Sequence, residues 1–262
     1  MTARILIIAG SDSGGGAGIQ ADIKTVTMLG GHAMTAITAI TAQNTLGVTG
    51  VHPVPAQMVI DQIDAVARDI GVDAIKIGMI GAAETAHRVA DRIAQLGAPI
   101  VFDPVMVATS GAALADDNTI AAFARLMDMA TLTTPNLPEL AALGGEAAAL
   151  RHAGTLLVKG GHGDGPMLID HLVDHSGEVA RWEDARIETT STHGTGCTLA
   201  SAIATGLGQG MTLIDAIDRA RRFVRAAILA APGLGHGHGP MGHHAVEQAL
   251  FSPPSRVREG NR

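Results

Sequence analysis

Short apolar runs alternate with amphipathic stretches along most of the chain, and no other sequence feature limits the possible folds as strongly. Ile5 to Ala9 is a run of five apolar residues that predicts a buried strand. Pro55 to Ile70 instead carries its apolar residues at helical spacing, which predicts an amphipathic helix. Strands that alternate with helices imply an α/β fold with a mostly parallel sheet and helices on both of its faces.

The same two patterns divide the rest of the chain. The other predicted strands are Ala33 to Ala42, Ala74 to Ile77, Ile100 to Asp103, Thr131 to Thr134, Thr155 to Lys159 and Met167 to Leu172. The other predicted helices are Ile19 to Leu29, Ala82 to Leu96, Asp116 to Met127, Thr198 to Leu207 and Leu213 to Ala230. Asp164 to Ile187 predicts antiparallel strands at one edge. With 262 residues, no linker and no repeat, we expect one domain at residues 1–251 and a flexible polar tail at 252–262.

Composition excludes several classes of function. The formal net charge is −7, and the chain has no tyrosine, one tryptophan and four phenylalanines, so both a basic surface and base-stacking platforms for nucleic acid are lacking. The single cysteine excludes an internal disulfide and is typical of a reducing compartment. No apolar run approaches membrane-spanning length, and the N-terminal run is too short for a signal peptide. We therefore expect a cytoplasmic protein with no nucleic-acid or membrane partner.

The run from Ser191 to Ala200 carries the strongest indication of chemistry. Its glycine-rich turn leads directly into an alanine-rich predicted helix, and Cys197 lies at the junction. A helix N-terminus presents backbone N–H groups and a partial positive charge, so it attracts anions. A thiol held there is expected to have a lowered pKa. The turn therefore combines an anion cradle with a potential base, which indicates chemistry on a phosphate or another oxyanion.

Other chemistry-bearing residues follow directly after predicted strands. These segments are the loop Gly10 to Gly18, Gln43-Asn44-Thr45, Gly78-Met79, Asp103 to Met106, Pro135 to Glu139 and Lys159-Gly160-Gly161. Ligands of parallel sheets bind beyond the carboxyl ends of the strands, so we expect these segments to share one site. This convergence is stronger support than any single motif.

The loop Gly10 to Gly18 fits neither common nucleotide motif. It lacks the Gly-Lys-Ser/Thr ending of the phosphate loop, and its last glycine is one place out of the dinucleotide pattern. Two interpretations stay open: a tight strand-to-helix turn, or a flexible loop over a small substrate. Asp22, in the helix that follows, either points into the same pocket or is a favourable acid near the helix start.

Three further polar groups each have a structural and a functional interpretation. Asp103 is either a capping acceptor or an acid associated with a metal. Asn136 and Glu139 form either a capping box or a hard-oxygen site for Mg²⁺, through water. Lys159 is either a phosphate contact or an ordinary charge at a strand end. Together with an anion cradle, these residues favour a metal–phosphate site.

The cysteine and the histidines are also ambiguous. Cys197 is either a small core residue or a reactive group, and its position at a helix start favours the second interpretation. A Cys197–His193 catalytic pair is conceivable, although sequence proximity does not establish geometry. Four C-terminal histidines form either a metal site or, as we favour, a solvated tail; they are His236, His238, His243 and His244.

Taken in order, these motifs resemble one family. The matching segments are Gly10 to Lys24, Thr41 to Thr45, Lys76 to Met79, Asp103 to Met106, Thr134 to Glu139, Val158 to His162 and His193 to Thr198. The chain resembles the hydroxymethylpyrimidine/phosphomethylpyrimidine kinases of thiamine biosynthesis, a branch of the ribokinase-like superfamily, from residue 4 to about residue 244. Much of that superfamily has an aspartate where this chain has Cys197, a departure that fits the vitamin-kinase branch.

The resemblance implies a three-layer sandwich and phosphoryl transfer from ATP with Mg²⁺. It implies that Gly194, Thr195, Gly196 and Cys197 form the catalytic anion hole, with Cys197 as the candidate base. It implies that the pyrimidine pocket is lined by Gln43, Ala17, Asp22, Met79 and Val105. It implies phosphate contacts from Lys159, Asn136 and Glu139, and a metal held by Asp103 and Glu139 through water. A homodimer is compatible with the resemblance, although the motifs do not require one.

The family phosphorylates a hydroxymethylpyrimidine and then its monophosphate. The second nucleophile is already largely ionised at neutral pH, so we expect Cys197→Ala to slow the first step much more than the second. Three rivals stay open: a pyridoxal kinase with the same ATP site, a cysteine-dependent hydrolase or acyltransferase, and a nucleotide-binding regulator without catalysis.

Overall fold

A computed structural model describes residues 1–108, 111–163 and 165–246 of the chain. One nine-stranded sheet crosses the molecule in the order β3-β2-β1-β4-β5-β6-β7-β8-β9. The strands are β1 (Arg4–Asp12), β2 (His32–Gln43), β3 (Val48–Pro53), β4 (Ala74–Ile77), β5 (Ile100–Phe102), β6 (Leu132–Thr133), β7 (Thr155–Val158), β8 (Met167–Asp174) and β9 (Gly177–Ala185).

Eight α-helices connect or flank these strands in the part of the chain that the structure describes. They are α1 (Gly18–Met28), α2 (Ala56–Asp69), α3 (Ala83–Ile93), α4 (Asp117–Met127), α5 (Leu137–Ala142), α6 (Glu146–Ala149), α7 (Thr195–Gly208) and α8 (Leu213–Leu229). Short 3-10 helices lie at Gly160–His162 and His243–Ala245. Among the described residues, no helix is long and apolar enough to cross a bilayer.

Both faces of the sheet are covered, which explains the unbroken apolar run from Ile5 to Ala9 in β1. Ile5 and Ile7 point into a core that includes Phe223 and other residues of α1, α7 and α8. Leu6 and Ile8 point into the opposite core, which is built from residues of α2, α3 and α4. Successive side chains of a strand alternate between faces, so one apolar run supplies both cores. The predicted three-layer α/β sandwich is confirmed.

The sheet is parallel in its centre and antiparallel at both ends. β2, β1, β4, β5, β6 and β7 pair in parallel, whereas β7, β8 and β9 pair in antiparallel fashion. The antiparallel edge predicted for Asp164 to Ile187 is therefore present, although residue 164 itself lies outside the described residues. The opposite edge strand, β3, was not predicted from the sequence. It is mostly exposed and contains glycine and proline, so it shows no apolar alternation.

The predicted elements agree with the observed ones within a few residues. The largest extensions are at β1 and α7. Strand β1 continues to Asp12 rather than ending at Ala9. Helix α7 begins at Thr195 rather than Thr198 and so takes in most of the glycine turn. The end of the expected domain at residue 251 and the expected tail at 252–262 lie outside the described residues.

Candidate active site

The carboxyl ends of the parallel strands form one edge of the sheet, and the motif residues gather there. Gln43 is the last residue of β2, Asp103 directly follows β5, and Lys159 directly follows β7. Asn136 and Lys159 also meet in an isolated parallel bridge beyond the ends of β6 and β7. The sheet therefore brings together residues that are far apart in the chain, as the positions of the motifs after strands predict.

The turn that begins α7 is shaped by two glycines. Gly194 caps the helix with φ 83°, a conformation that glycine adopts without strain. A Cβ at Gly194 would lie 2.0 Å from the carbonyl oxygen of Gly16, so the turn also packs directly against the glycine loop. A Cβ at Gly196 would lie 3.3 Å from Lys159 Nζ and 3.4 Å from Asp103 Oδ2. The absence of side chains at these positions leaves the first N–H groups of α7 beside a lysine.

Lys159 and Asp103 form the charged rim of this turn, and we call them the rim pair. Lys159 Nζ donates to Asp103 Oδ1 at 2.7 Å and lies 3.8 Å from Glu139 Oε2. Thr134 Oγ1 also donates to Asp103 Oδ1, at 3.0 Å. One ammonium group thus faces two carboxylates, and the Lys159 side chain retains 13% exposure. The pKa of Lys159 is raised: burial alone would lower it, but the two carboxylates outweigh that effect.

Glu139 serves both as a helix cap and as part of the charged cluster. Its backbone N–H donates to Asn136 Oδ1 and its Oε2 accepts from the Asn136 N–H, both at 2.8 Å, so the two residues form a complete capping box at α5. Burial, together with the nearby Asp103 carboxylate, raises the pKa of Glu139 to about 7 against the opposing effect of Lys159. The structural interpretation of Asn136 and Glu139 is therefore realised, and Glu139 is in addition a poorly compensated acid.

The donor set around the rim pair fits a magnesium ion that arrives with phosphate ligands. Among the residues described, no group of three or more His, Cys, Asp or Glu side chains is arranged to hold a metal. Mg²⁺ keeps several waters and is usually bound through one or two carboxylates plus substrate phosphates, so such a cage is not needed. Asp103 and Glu139 supply two buried carboxylates beside one lysine, and carboxylate oxygen is the kind of donor that Mg²⁺ uses.

A second lysine–aspartate pair lies beneath the turn, and we call it the inner pair. Lys76 Nζ donates to Asp22 Oδ2 at 2.8 Å, and Ser201 Oγ donates to Asp22 Oδ1 at 2.7 Å. Both charged side chains have 0% exposure. Burial by itself would lower the pKa of Lys76, but Asp22, with Cys197 and Asp103 nearby, raises it. Asp22 is thus neither a simple acid at a helix start nor a group open to a pocket in this conformation, because Lys76 and Ser201 occupy its carboxylate.

The pKa predicted for Cys197 is wrong in direction. The thiol lies in the first turn of α7, as expected, and it is partly exposed. Burial nevertheless raises its pKa to about 11; Lys76 opposes this shift, while the Asp22 and Asp103 carboxylates add to it. Desolvation by the surrounding protein and two nearby negative charges outweigh the helix N-terminus. The thiol is therefore protonated at neutral pH.

The glycine loop between β1 and α1 is organised by Asp12. The carboxylate of Asp12 accepts hydrogen bonds from the backbone N–H groups of Gly14, Gly16 and Ala17 at 2.7, 2.9 and 2.8 Å. The pKa of Asp12 lies below its ordinary value: burial would raise it, but these bonds and His193 outweigh that effect. The structure thus contains the tight strand-to-helix turn, in which a protein carboxylate occupies the loop amides.

His193 links this loop to Gln43 at the end of β2. Its Nε2 lies 3.0 Å from Asp12 Oδ2 and 3.3 Å from Gln43 Nε2. The pair with Cys197 considered from the sequence is thus not formed through this nitrogen. Asp12 was not singled out from the sequence, and His193 was considered only as a partner of Cys197, although His193 directly precedes the glycine turn and Asp12 lies within the glycine loop.

Ala17, Met79 and Val105 are half-buried residues that each follow a strand or a loop at the same edge. Met79 lies against β1, because a Cβ at Gly10 would be 3.0 Å from its sulfur. They lie at the same edge of the sheet as Gln43, and their contact with a pyrimidine stays a prediction.

The C-terminal histidines do not gather at one point. His243 is buried, with Nε2 2.8 Å from Thr198 Oγ1, and burial lowers its pKa to about 4. His238 instead lies in the bent segment after α8, where its backbone N–H donates to the Thr45 carbonyl at 2.9 Å. His243 is therefore neutral at physiological pH, and it attaches this segment to the first turns of α7.

Comparisons with known proteins agree with this geometry. The family model for phosphomethylpyrimidine kinase matches residues 12–242. A hydroxymethylpyrimidine/phosphomethylpyrimidine kinase of Rhizobium meliloti is 47% identical over 93% of this chain and 97% of its own. The thiamine biosynthesis bifunctional protein of Geobacter sulfurreducens is 48% identical over 91% of this chain, and the match spans 52% of that protein's length. The chain therefore spans about half of this longer relative.

A solved structure with the same architecture carries a different name. The ADP complex of Bacillus subtilis pyridoxal kinase superposes with a TM-score of 0.84 at 32% identity, over 94% of this chain and 98% of that one. Relatives with different named substrates therefore share this fold, and the pyridoxal kinase among them is solved with ADP.

Proposed function

We propose a function on one premise: this chain belongs to the phosphomethylpyrimidine kinase family. The proposed reaction is transfer of the terminal phosphoryl group of ATP to 4-amino-5-hydroxymethyl-2-methylpyrimidine and then to the resulting monophosphate. The acceptor is thus a small molecule of thiamine biosynthesis. Two expectations from the sequence, a cytoplasmic location and a homodimer, belong to the proposal, and the chemistry depends on neither.

One observation carries the proposal: the start of α7 lies directly against the rim pair. The side-chain-free surface of Gly196 is within van der Waals reach of both Lys159 Nζ and Asp103 Oδ2. Backbone N–H groups at a helix start and a lysine ammonium therefore face one small volume. Phosphoryl transfer needs mainly positioning and neutralisation of charge on the transferred group, and these groups are suited to both.

The residues of the chain divide the work as follows. The amides of residues 194–197 hold the charge that develops on the transferred group, and Lys159 binds its oxygens. Asn136 and Glu139 begin α5 beside Lys159 and form the phosphate side of the site. Asp103 and Glu139 are the residues that would hold Mg²⁺ through water, and the ion would supply further neutralisation of phosphate charge when bound.

On the acceptor side, Gln43 is the group suited to recognise an aminopyrimidine. Its amide has both a donor and an acceptor, which match the exocyclic amine and the ring nitrogen of such a ring. We assign Ala17, Met79 and Val105 to the walls of this pocket and Asp22 to the support beneath it. The thiol of Cys197 faces a difficulty as a base, since a pKa of about 11 leaves it protonated. We therefore assign to Cys197 mainly the contribution of its backbone N–H.

The test is a product assay with the purified protein. Incubation with ATP, Mg²⁺ and the hydroxymethylpyrimidine is expected to yield the monophosphate and then the diphosphate, identified by mass. A matched reaction without ATP separates a kinase from a cysteine-dependent hydrolase, which would turn over its substrate without nucleotide. Binding of ATP with no phosphorylated product from any vitamin precursor would instead identify a regulator and overturn the proposal.

A pyridoxal kinase is the second candidate function, because a solved pyridoxal kinase shares this fold at 32% identity. Parallel assays with pyridoxal and with the hydroxymethylpyrimidine measure the preference as a ratio of kcat/KM values. We expect the ratio to favour the pyrimidine. A ratio that favours pyridoxal would reassign the acceptor and leave the ATP site as proposed.

A further inference from the structure

A chain of polar contacts crosses the substrate side of the site from Asp12 to Thr41. Asp12 Oδ2 accepts from two backbone N–H groups of the glycine loop and lies 3.0 Å from His193 Nε2. The Gln43 amide stands between His193 and Thr41. Its Nε2 is 3.3 Å from His193 Nε2, and its Oε1 is 3.2 Å from Thr41 Oγ1. Asp12, His193 and Thr41 are buried, and Gln43 between them is half-buried.

The contact with Asp12 decides which atom of His193 carries a proton. The Asp12 carboxylate is ionised at neutral pH and acts only as an acceptor. A bare ring nitrogen 3.0 Å from a carboxylate oxygen would place two lone pairs against each other. His193 Nε2 therefore carries hydrogen, whether the ring is neutral or doubly protonated. A nitrogen that donates to Asp12 does not accept a hydrogen bond from an amide N–H.

On the other side of the Gln43 amide, the Thr41 hydroxyl acts as an acceptor and therefore requires a donor. A hydroxyl has one hydrogen, and that of Thr41 is donated to the Ser11 carbonyl at 2.9 Å. Toward Gln43, Thr41 then offers only a lone pair. The Gln43 amide thus faces an N–H on its His193 side, with a hydrogen that is shared with Asp12, and a lone-pair acceptor on its Thr41 side. Both contacts are favourable only when the amide oxygen faces His193 and the amide nitrogen faces Thr41.

We infer that Asp12 and His193 are positioning residues that fix the Gln43 amide with Oε1 toward His193 and Nε2 toward Thr41. In this orientation Oε1 and Nε2 exchange places relative to the two distances given above. The two orientations have almost the same shape, so the surrounding hydrogen bonds decide between them. Each amide atom keeps one further hydrogen-bonding position, a lone pair on Oε1 and a hydrogen on Nε2, in a fixed spatial order.

A fixed order of acceptor and donor has a consequence for specificity. An aminopyrimidine edge presents an exocyclic N–H donor next to a ring-nitrogen acceptor, so it pairs with both amide atoms in one order only. An amide free to turn would pair with rings of either order and would discriminate less. The consequence for the ligand rests on the proposed function, whereas the hydrogen bonds within the protein do not.

Neutron diffraction from a deuterium-exchanged crystal of the unliganded protein tests the arrangement directly. We expect a deuteron on His193 Nε2 directed at Asp12, and both amide deuterons of Gln43 on the atom that faces Thr41. A bare Nε2, or amide deuterons directed at His193, would overturn the inference. This measurement needs no active enzyme and no variant.

Binding measurements test the consequence for specificity. Calorimetry without ATP compares 4-amino-5-hydroxymethyl-2-methylpyrimidine with the analogue that lacks the amino group. We expect the native protein to prefer the amino compound by roughly tenfold, the value of one well-made hydrogen bond. His193→Leu removes the donor and should reduce the preference to about threefold or less, and His193→Gln, which retains an N–H near the Nε2 position, should restore most of it.

An unchanged preference in a folded His193→Leu protein would overturn the assignment of His193 as a positioning residue. Should that variant fail to fold, which its thermal melt would reveal, the neutron measurement decides alone. A protein that shows the expected deuterons yet phosphorylates no hydroxymethylpyrimidine would refute the proposed function and leave the Asp12–His193–Gln43 arrangement intact. A protein that phosphorylates the hydroxymethylpyrimidine but lacks the expected deuterons would support the proposed function and refute this inference.

Discussion

The inner pair, Lys76–Asp22, and the rim pair, Lys159–Asp103, have nearly the same separation, 2.8 and 2.7 Å, but different surroundings. In the inner pair both side chains are fully buried, and Ser201 completes the hydrogen bonding of the carboxylate. In the rim pair the lysine is partly exposed, and a third charged group, Glu139, shares it. The comparison teaches that the same chemical pair is suited to structural support where its charges balance, and that an unbalanced, partly exposed pair is the one we propose to bind a ligand.

The largest effect is expected from Lys76→Met in the inner pair. The change leaves the Asp22 carboxylate buried without its ammonium partner, which should reduce the free energy of unfolding by roughly 3 to 5 kcal/mol. Urea denaturation at pH 7 measures the loss. The double variant Lys76→Met with Asp22→Asn removes the unpaired charge and should recover at least half of it. A loss in the single variant no greater than that of an ordinary surface substitution would contradict the assignment as a support.

In the rim pair, Lys159→Met should act on the reaction rather than on the fold. Removal of one preorganised charge from such a site lowers kcat by roughly 10²- to 10³-fold. Stability should change much less than in the inner pair. Loss of Lys159 removes the group that lowers the pKa of Glu139, so Glu139 takes up a proton and the cluster loses one negative charge. Steady-state kinetics and urea melts of the same preparation measure both, with Lys159→Arg as the charge-retaining control. If the Lys159→Met protein kept wild-type turnover but lost stability, the rim pair would be a structural support and not part of the reaction.

Glu139→Gln tests whether the carboxylates around Lys159 exceed the positive charge there, through the pH dependence of the free energy of unfolding. The folded-state pKa of about 7 lies above the unfolded value of 4.5, so protonated Glu139 stabilises the fold fully below pH 4.5, and this contribution disappears as the pH rises through 7. The cost at pH 8 should reach roughly 2 to 3 kcal/mol. The glutamine variant retains a capping oxygen but cannot ionise, so its free energy of unfolding should lack this decline. If the free energy of unfolding changed equally with pH in the two proteins between pH 4.5 and 8, the negative charge of Glu139 would already be balanced by Lys159.

The smallest effect is expected at Cys197, which lies between the two pairs. A thiol with a pKa of about 11 is not an effective base, so Cys197→Ala should slow both phosphorylation steps equally, by less than about tenfold. Separate assays with the hydroxymethylpyrimidine and with its monophosphate measure the two losses, and Cys197→Ser controls for side-chain volume. A loss confined to the first step would restore the thiol as the base and would require that substrates lower its pKa.

Sequence patterns predicted the central sheet because their physical causes are local. β1 is buried on both faces, so it carries a continuous apolar run. α2 is buried on one face, so its apolar residues recur at helical spacing. Strand β3 was missed because it is exposed and pairs along only one side, and no apolar period records such pairing. The position of the candidate site was predictable for a general reason: parallel strands bring their carboxyl ends to one edge.

The sequence by itself determined the α/β class, the edge of the sheet where the polar motifs meet, and the glycine turn that begins α7. Only the tertiary structure decided which charges neutralise each other, because Lys76 could have faced any of several carboxylates and its partner Asp22 is 54 residues away. The ionisation of Cys197 depended on the same long-range arrangement. Desolvation and two aspartates that are far away in sequence but close in space raised the thiol pKa against the effect of its own helix. Electrostatic free energy depends on distances and burial in three dimensions, and sequence spacing does not encode either.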